Sequence, residues 1–552
     1  MSPKGARALS ALLALASGFA TMGAELAAVR VLAPSFGDSA PVWTNVIAVM
    51  LLALALGAWL GGIFADRGLA RRVLIPAFSI AAALLALAPY LASWLSQLVL
   101  PDPLPLDLAL GVMIRGSLAV GLLVFAPPIL LLGMASPCLI KLSCAENSQI
   151  GRASGSVYAF GTLGSLAGTF LATHVLVPSL GLRASFGLFA IILFGCALSL
   201  AFAGGKRSRS YLLLLLLPLA ASPCLLLDAG MPAWLAQSGY RLLEMQDSRY
   251  QRLWVLEGRE KLASSEGGHR GEKTPQREAR IRLLAINEGA DSYHSVRIEG
   301  EALSNGRYYD AFALLPALLP ATRLAQEQPI KVLSIGCATG ALLRAVDHAA
   351  GQKMQGIGVE LDPVVLELGR RFFDSPGREH PRIQLIGGIG GRLYVERCAS
   401  AEAPFDLILL DAYRHQIYVP PQLASVEFFH RVRELLSEDG ILAMNIGELP
   451  QGGPVLPRVA GTAAAVFESV ESLQLPRQRN ALLLAHSGSC KRLLSALRSS
   501  QRPQGLSPGL WKRAQRDGAW RCWDPLPEGE RLSDDRSQLL DLHETLYRSE
   551  RP

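Results

Sequence analysis

Over the first 229 positions apolar residues run in long stretches broken only by short polar connectors, and after that point the pattern changes. A helix needs about 20 residues to cross a bilayer. Runs near 8–33, 42–65, 73–97, 113–140, 155–178, 184–204 and 211–228 reach about that length, and they predict a bundle of about seven transmembrane helices. The first run follows Lys4 and Arg7, but further spans come after it with no convincing cleavage site, so it reads as a retained helix rather than a signal peptide. Pro127 and Pro128 are expected to kink the fourth span, and Gly161, Gly164 and Gly168 to allow close helix contact in the fifth. Glu25 and Arg30 stand at i and i+5 on the first span. Charge within a membrane is costly, so this pair is a functional candidate, beside the plainer reading of one snorkelling Arg and one buried hydrogen bond.

From 230 to 247 a partly amphipathic stretch with Trp234 and Tyr240 reads as an interfacial linker. Segments 249–256 and 280–286 read as paired strands, with the polar stretch 257–279 as a flexible connector. Beyond them, strands at 331–335, 356–360, 383–386, 405–410 and 441–446 alternate with helices near 340–350, 363–373 and 424–436. That alternation predicts a mostly parallel sheet with helices on both faces. The tail is polar and Pro-rich, apart from a short helix starting after Ser533, Asp534 or Asp535. The division is thus 1–229 for the bundle, 230–300 for linker and small β unit, 301–502 for the α/β domain and 503–552 for the tail.

Charged residues make up only 18% of the chain, and they lie almost wholly in its second half. The net charge of +7 is a weak hint of nucleic acid. Bases beside membrane helices explain it better, because cytoplasmic loops collect Lys and Arg, so no nucleic-acid partner is expected. Lys4/Arg7, Arg67/Arg71/Arg72, Lys141/Arg152 and Lys206/Arg207/Arg209 fall in alternate connectors, which places the N-terminus in the cytoplasm. The eight cysteines form no C-x-x-C pair and the histidines show no ligand spacing, so neither a metal site nor a disulfide framework is expected.

The candidate chemistry sits where strands end. In IGCATGALL, Gly336 and Gly340 open a tight turn into a helix, which lets backbone N–H groups approach a ligand. Glu360, in GVELDP, ends the next strand about twenty residues on, where an acid can accept hydrogen bonds from both hydroxyls of a ribose. Asp411, in DLILLDAYRHQIYVPP, ends the fourth strand. Open α/β sheets bind ligands at the carboxyl ends of their strands, so Gly336, Glu360 and Asp411 are expected to converge on one cleft. A carboxylate there can take a proton from an attacking amine or hold its cationic form.

The segments RYQRLWV, GRYYDAFALLP, VLSIGCATG, GVELDP, LILLDAY and LSDDRSQL, in this order, resemble the spermidine synthases. With SGFATMGAELAAVRVLAPSFG and FAPPILLLGMASP before them, the whole chain resembles bacterial proteins in which a half-transporter-like bundle is fused to such a domain. The resemblance implies an α-helical transmembrane bundle followed by an α/β Rossmann-like, methyltransferase-type domain with a small N-terminal β unit. It implies a multi-pass protein of the cell membrane, in contact with the lipid bilayer, with a homodimer as the assembly considered. The implied reaction is aminopropyl transfer from decarboxylated S-adenosylmethionine to an amine such as putrescine, without a metal. By the same resemblance Asp411 is the proton acceptor, Gln251, Tyr308 and Asp310 bind substrate, Tyr309 replaces a histidine, and Gly336, Gly340 and Glu360 hold the donor.

The chain departs from the family at three acids. Thr339 stands where the synthases carry an aspartate for the aminopropyl ammonium, GGIGG (387–391) lacks the acid that contacts adenine, and Arg414 reverses the charge of a loop aspartate. These changes weaken binding of a dicationic amine if the sites are desolvated. Two alternatives stay open: a soluble domain that senses a nucleoside or polyamine without chemistry, and methyl transfer from S-adenosylmethionine. Seven crossings also place the C-terminal domain outside, where such nucleotides are not expected.

Overall fold

Long runs of Leu, Ala, Val and Ile with few charges fold into helices because only a helix satisfies every backbone polar group within an apolar segment. In the computed structural model these are α1 (Pro3–Phe36), α2 (Ala40–Asp66), α3 (Ala70–Val99), α4 (Ile114–Ser143) and α5 (Ile150–Ala203). All five contain a stretch long and apolar enough to cross a membrane. The structure describes residues 3–36, 40–99, 114–144, 150–203, 239–248, 250–263, 276–286, 293–377, 379–397, 403–413, 419–447, 452–475, 480–535 and 539. Contacts divide the chain into one unit of Met1–Ala233 with Asp247–Arg252 and a second of Trp234–Gln246 with Leu253–Pro552.

In the first unit α5 is broken at Gly181 (φ 79°, ψ 169°), which separates the two spans expected at 155–178 and 184–204. The expected seventh span, 211–228, lies outside the described residues, as do Trp234 and the first part of the linker. A single π-helical turn, Gly121–Phe125, precedes Pro127 and Pro128, and another, Ala172–Leu176, precedes Pro178. Proline lacks the N–H that would bond one turn back and its ring crowds that carbonyl, so a widened turn relieves both problems. Small residues set the closest helix contact: a Cβ on Gly164 would run into the Leu15 carbonyl, and one on Gly168 into that of Phe19. Phe36, Phe78, Phe125, Phe186 and Phe189 fill the core, and Glu25 is buried in α1. Trp59, Trp94, Leu123 and Ile191 are more than half exposed.

In the second unit a four-stranded antiparallel sheet has the order β1 (Arg241–Asp247), β2 (Arg252–Ala263), β3 (Gln276–Ile286), β4 (Tyr293–Ile298). The sequence reading is corrected here twice. The linker's second half is strand β1, and β2 and β3 continue into both ends of the polar stretch, pairing from Leu253↔Ile286 to Ala263↔Gln276. Charged residues had hidden them: across the two strands Glu257 pairs with Arg282 at 3.2 Å and with Arg280 at 4.0 Å.

The main sheet contains β5 (Ile330–Ile335), β6 (Met354–Glu360), β7 (Ile383–Gly387), β8 (Phe405–Leu410), β9 (Leu436–Gly447), β10 (Ser469–Gln474), β11 (Asn480–His486) and β12 (Trp520–Cys522). Its order is β12-β10-β11-β9-β8-β5-β6-β7. The β7-β6-β5-β8-β9 block is parallel and β11, β10 and β12 continue it antiparallel. All six residues of β8 are buried, as expected of a central strand covered on both faces. Its one charged residue, Asp406, is neutralised by a two-pronged bond from Arg323 at 2.7 and 2.8 Å. Helices between the strands begin at deliberate caps: Asp362 accepts the Val364 N–H ahead of Pro363, and Ser425 accepts that of Phe428.

The tail also differs from expectation, since Trp520–Cys522 is the edge strand of the sheet and Cys522 is disulfide-bonded to Cys490. No disulfide was expected from scattered cysteines without a C-x-x-C pair; these two are 32 residues apart, and only the fold makes them neighbours. The helix expected after residues 533–535 falls mostly outside the described residues.

The packing of α1 on α5 gives a direct test. Gly164→Val is expected to destabilise the detergent-solubilised protein by about 1–3 kcal/mol through overpacking, whereas Gly155→Val, where a Cβ meets nothing within 4 Å, leaves the melting temperature nearly unchanged. Equal thermal shifts for the two variants would refute the contact.

Candidate functional site

Strand order reverses between β5 and β8: from β5 the chain moves outward to β6 and β7, then returns to place β8 on β5's other side. Open α/β sheets commonly hold ligands at the carboxyl ends of strands where the order reverses in this way. Gly336 opens the loop after β5 with φ 73°, and Gly340 closes it with φ 80°. Gly336 is required twice over. Its backbone is left-handed, and a Cβ there would lie 2.7 Å from the Ala412 Cα and 2.8 Å from the Asp411 carbonyl. The Asp411 N–H in turn donates to the Ile335 carbonyl at 3.1 Å. The turn after β5 and the acid after β8 are thus locked together.

Glu360, at the end of β6, reaches the same turn. Its Oε2 accepts the Ala338 N–H at 3.0 Å and its Oε1 the Asp362 N–H at 3.1 Å. Ala338 itself has φ 44°, an uncommon conformation for a residue with a side chain. Burial pushes the Glu360 carboxyl up to about 7, against the lowering effect of those N–H donors. The structure brings Gly336, Gly340, Glu360 and Asp411 around one loop.

Asp411 is held by two donors: Asn445 Nδ2 bonds Oδ1 at 2.9 Å and the Tyr308 hydroxyl bonds Oδ2 at 3.0 Å. Burial raises its carboxyl to about 6, and the two hydrogen bonds, which favour the ionised form, hold it from rising further. Tyr308 lies against Tyr309 with ring centroids 4.0 Å apart, and burial keeps both phenols well above their ordinary range. They are neutral hydroxyl donors at physiological pH.

Asn445 is a site residue that sequence reasoning missed. It lies two residues before the end of the parallel neighbour β9, and its own Oδ1 accepts from Asn480 Nδ2 of β11 at 2.9 Å. Tyr413 reinforces this corner, donating to the Asn445 carbonyl at 2.6 Å and accepting the Gly447 N–H at 3.0 Å. The available signal was a lone polar residue in the apolar run 441–446.

Asp310 was expected to bind substrate, but its carboxylate is taken up by the 304–306 turn: Oδ1 accepts from Ser304 N and Oγ at 2.6 and 2.5 Å, and Oδ2 accepts the Gly306 N–H at 2.6 Å. Gln251 lies in the turn before β2, where its N–H donates to Ser248 Oγ at 3.0 Å and its carbonyl accepts the Ser248 N–H at 2.8 Å. Thr339 is fully buried and its Oγ1 has no hydrogen-bond partner. Arg414 lies outside the described residues. A cavity of about 460 Å³, lined by Arg323, Lys331, Gln355 and Asp406, opens at the opposite, amino-terminal ends of the strands, away from the glycine turn.

Residues 318–467 match the family model of the spermine/spermidine synthase domain. A probable polyamine aminopropyl transferase of Bifidobacterium longum is 30% identical over 194 residues, covering 35% of this chain and 40% of that protein. The polyamine aminopropyltransferase of Vibrio vulnificus is 26% identical over 155 residues, 28% of this chain and 49% of that one. The chain therefore spans about half or less of the length of these curated relatives. Among solved structures, a probable spermidine synthase from Corynebacterium glutamicum is 18% identical, with 52% of this chain and 97% of that chain covered and a TM-score of 0.33. Spermidine synthase from Thermotoga maritima is 18% identical, covering 50% and 84%, with a TM-score of 0.34. Neither likeness bears on the role of any residue. The C-terminal region of this chain carries a spermine/spermidine synthase domain, with polyamine aminopropyltransferases among its relatives.

Proposed function

We propose that the protein is a membrane-bound, spermidine synthase-like transferase that moves an aminopropyl group from decarboxylated S-adenosylmethionine to an amine. The observation that carries this reading is Asp411, held at the switch point by Tyr308 and Asn445 with its carboxyl raised to about 6. The donor, when bound, supplies an electrophilic carbon next to a sulfonium. The glycine turn and Glu360 fit its nucleoside: backbone closes on the ligand at Gly336 and Gly340, and the remaining lone pairs of Glu360 can take the ribose hydroxyls.

An alkylammonium, with an ordinary pKa of about 10.4, is protonated at neutral pH and has no lone pair for displacement. Asp411 orients it and takes its proton. As the freed nitrogen lone pair bonds the carbon, the C–S bond breaks, its electron pair returning to sulfur to leave a neutral thioether. A carboxylate raised to about 6 is a stronger base than an ordinary aspartate, yet is still mostly ionised at pH 7. The neutral Tyr308 hydroxyl fixes the other face of the carboxylate. Membrane attachment is supported by five long apolar helices and by the exposed Trp59, Trp94, Leu123 and Ile191 on them, which suit lipid better than water.

Methyl transfer from intact S-adenosylmethionine is the second reading, and Thr339 favours it, because an uncharged side chain stands there where the synthases hold the donor's ammonium. Calorimetric titration of the full-length protein with both donors, followed by product analysis with putrescine, separates the two. A methylated product would overturn aminopropyl transfer. Binding with no product from any amine would favour a sensing domain.

For an aminopropyltransferase, kcat/KM is expected to rise with pH as Asp411 ionises and to level off above about 6. Asp411→Asn should lower kcat by about 10²–10⁴-fold with donor affinity nearly unchanged. Glu360→Gln should instead weaken donor binding by roughly 1.5–3 kcal/mol. Donor affinity of the parent protein should fall as pH drops through about 7, where Glu360 takes up a proton and loses acceptor capacity. A flat profile in both measurements would remove these acids from the mechanism.

A further inference from the structure

At the far edge of the main sheet, strands β11, β10 and β12 bring together groups that are distant in sequence. Glu471 of β10 is paired with Cys522 of β12, so their side chains rise from the same face of the sheet. His486, at the end of β11, pairs with Ser469, two residues before Glu471, and shares that face. The loop after β11 turns through Gly488 (φ 96°) and Lys491 (φ 69°), and the Lys491 N–H is anchored on Glu471 Oε1 at 3.1 Å. That anchor brings Cys490 over the strands. The Cys490 and Cys522 sulfurs and a Glu471 carboxylate oxygen all lie within 4.8 Å of one another.

Both cysteines are exposed, whereas the Glu471 side chain is wholly buried. Its Oε1 takes the Lys491 N–H and lies 3.0 Å from His486 Nε2, but its Oε2 has no hydrogen-bond partner. A disulfide that merely pins β12 to the loop does not require a carboxylate beneath it, and a buried, unsatisfied carboxylate oxygen is unfavourable. Two sulfurs and an orphaned carboxylate oxygen on one face are a donor set suited to zinc.

We propose that, when the disulfide is reduced, Cys490, Cys522 and Glu471 bind a thiophilic divalent cation of the zinc class, with water completing its shell. A reductant of the dithiol class delivers two electrons and two protons to the sulfur–sulfur bond as its own sulfurs join. The cation then displaces the two thiol protons, leaving two thiolates and one carboxylate as ligands. His486 and the Lys491 N–H hold the carboxylate in place through its other oxygen. The site is independent of the transferase reading.

Cobalt(II) is the test probe, added to full-length protein purified in detergent and reduced with a phosphine. The expected result is uptake of one equivalent with a thiolate-to-cobalt charge-transfer absorption, displaced by zinc and absent from the oxidised protein. Glu471→Gln should keep the thiolate band but weaken binding by more than about tenfold. Cys490→Ser and Cys522→Ser, both at exposed positions, should each abolish the two-thiolate band, and they decide the matter even if the buried substitution disturbs folding. No uptake by the reduced protein, or affinity unchanged in Glu471→Gln, overturns the proposal and leaves a disulfide clip only.

Discussion

The backbone that leaves β5 lies against the backbone that leaves β8, and this approach is possible only because residue 336 has no Cβ. The same residue turns the chain with a positive φ, so both the direction of the loop and its closeness to Asp411 come from one glycine. Glu360 then fastens the loop from the other side through the Ala338 N–H. The glycine turn, Glu360 and Asp411 are thereby held on a common frame. The frame is the parallel sheet itself, whose central strand β8 is buried along its whole length.

Electrostatics at this cleft follows from burial opposed by hydrogen bonding. Glu360 and Asp411 are both pushed upward by desolvation, and both are restrained by donors that favour the charged form. For Asp411 these donors come from separate elements: Tyr308 from the turn-rich segment before β5, and Asn445 from β9, itself steadied by Asn480 of β11. The antiparallel extension of the sheet is therefore connected to the candidate chemistry through a line of side-chain amides. Asp310, in contrast, orders its own turn, and it is the nearby Tyr308 that bonds Asp411.

The helical unit obeys a different constraint. Its closest backbone approach depends on small residues, and Gly164 and Gly168 let α5 come against the α1 backbone. Prolines that would break such helices are absorbed by π-helical turns just before them. The break at Gly181 lies between the two spans read within α5, so the length of this helix alone overstates what a single crossing needs.

Much of this was legible in the sequence because it depends on local pattern. Apolar run length announces the helices, alternation announces β5 to β9, and glycine and acid positions at strand ends mark Gly336, Glu360 and Asp411. Strands β2 and β3 were underestimated because cross-strand charge pairs make a solvated ladder read as a polar connector. What only the tertiary structure decided are relations between residues far apart in the chain. Asn445 meets Asp411 because β9 lies beside β8, and Cys522 meets Cys490 and Glu471 because the tail returns as an edge strand. The engagement of Asp310 by Ser304 and Gly306 is likewise a matter of loop shape. Periodicity and turn chemistry are carried by neighbours in sequence, so the chain alone determines them. Which strand lies beside which depends on how whole elements pack, and that packing chooses the partners of each polar group.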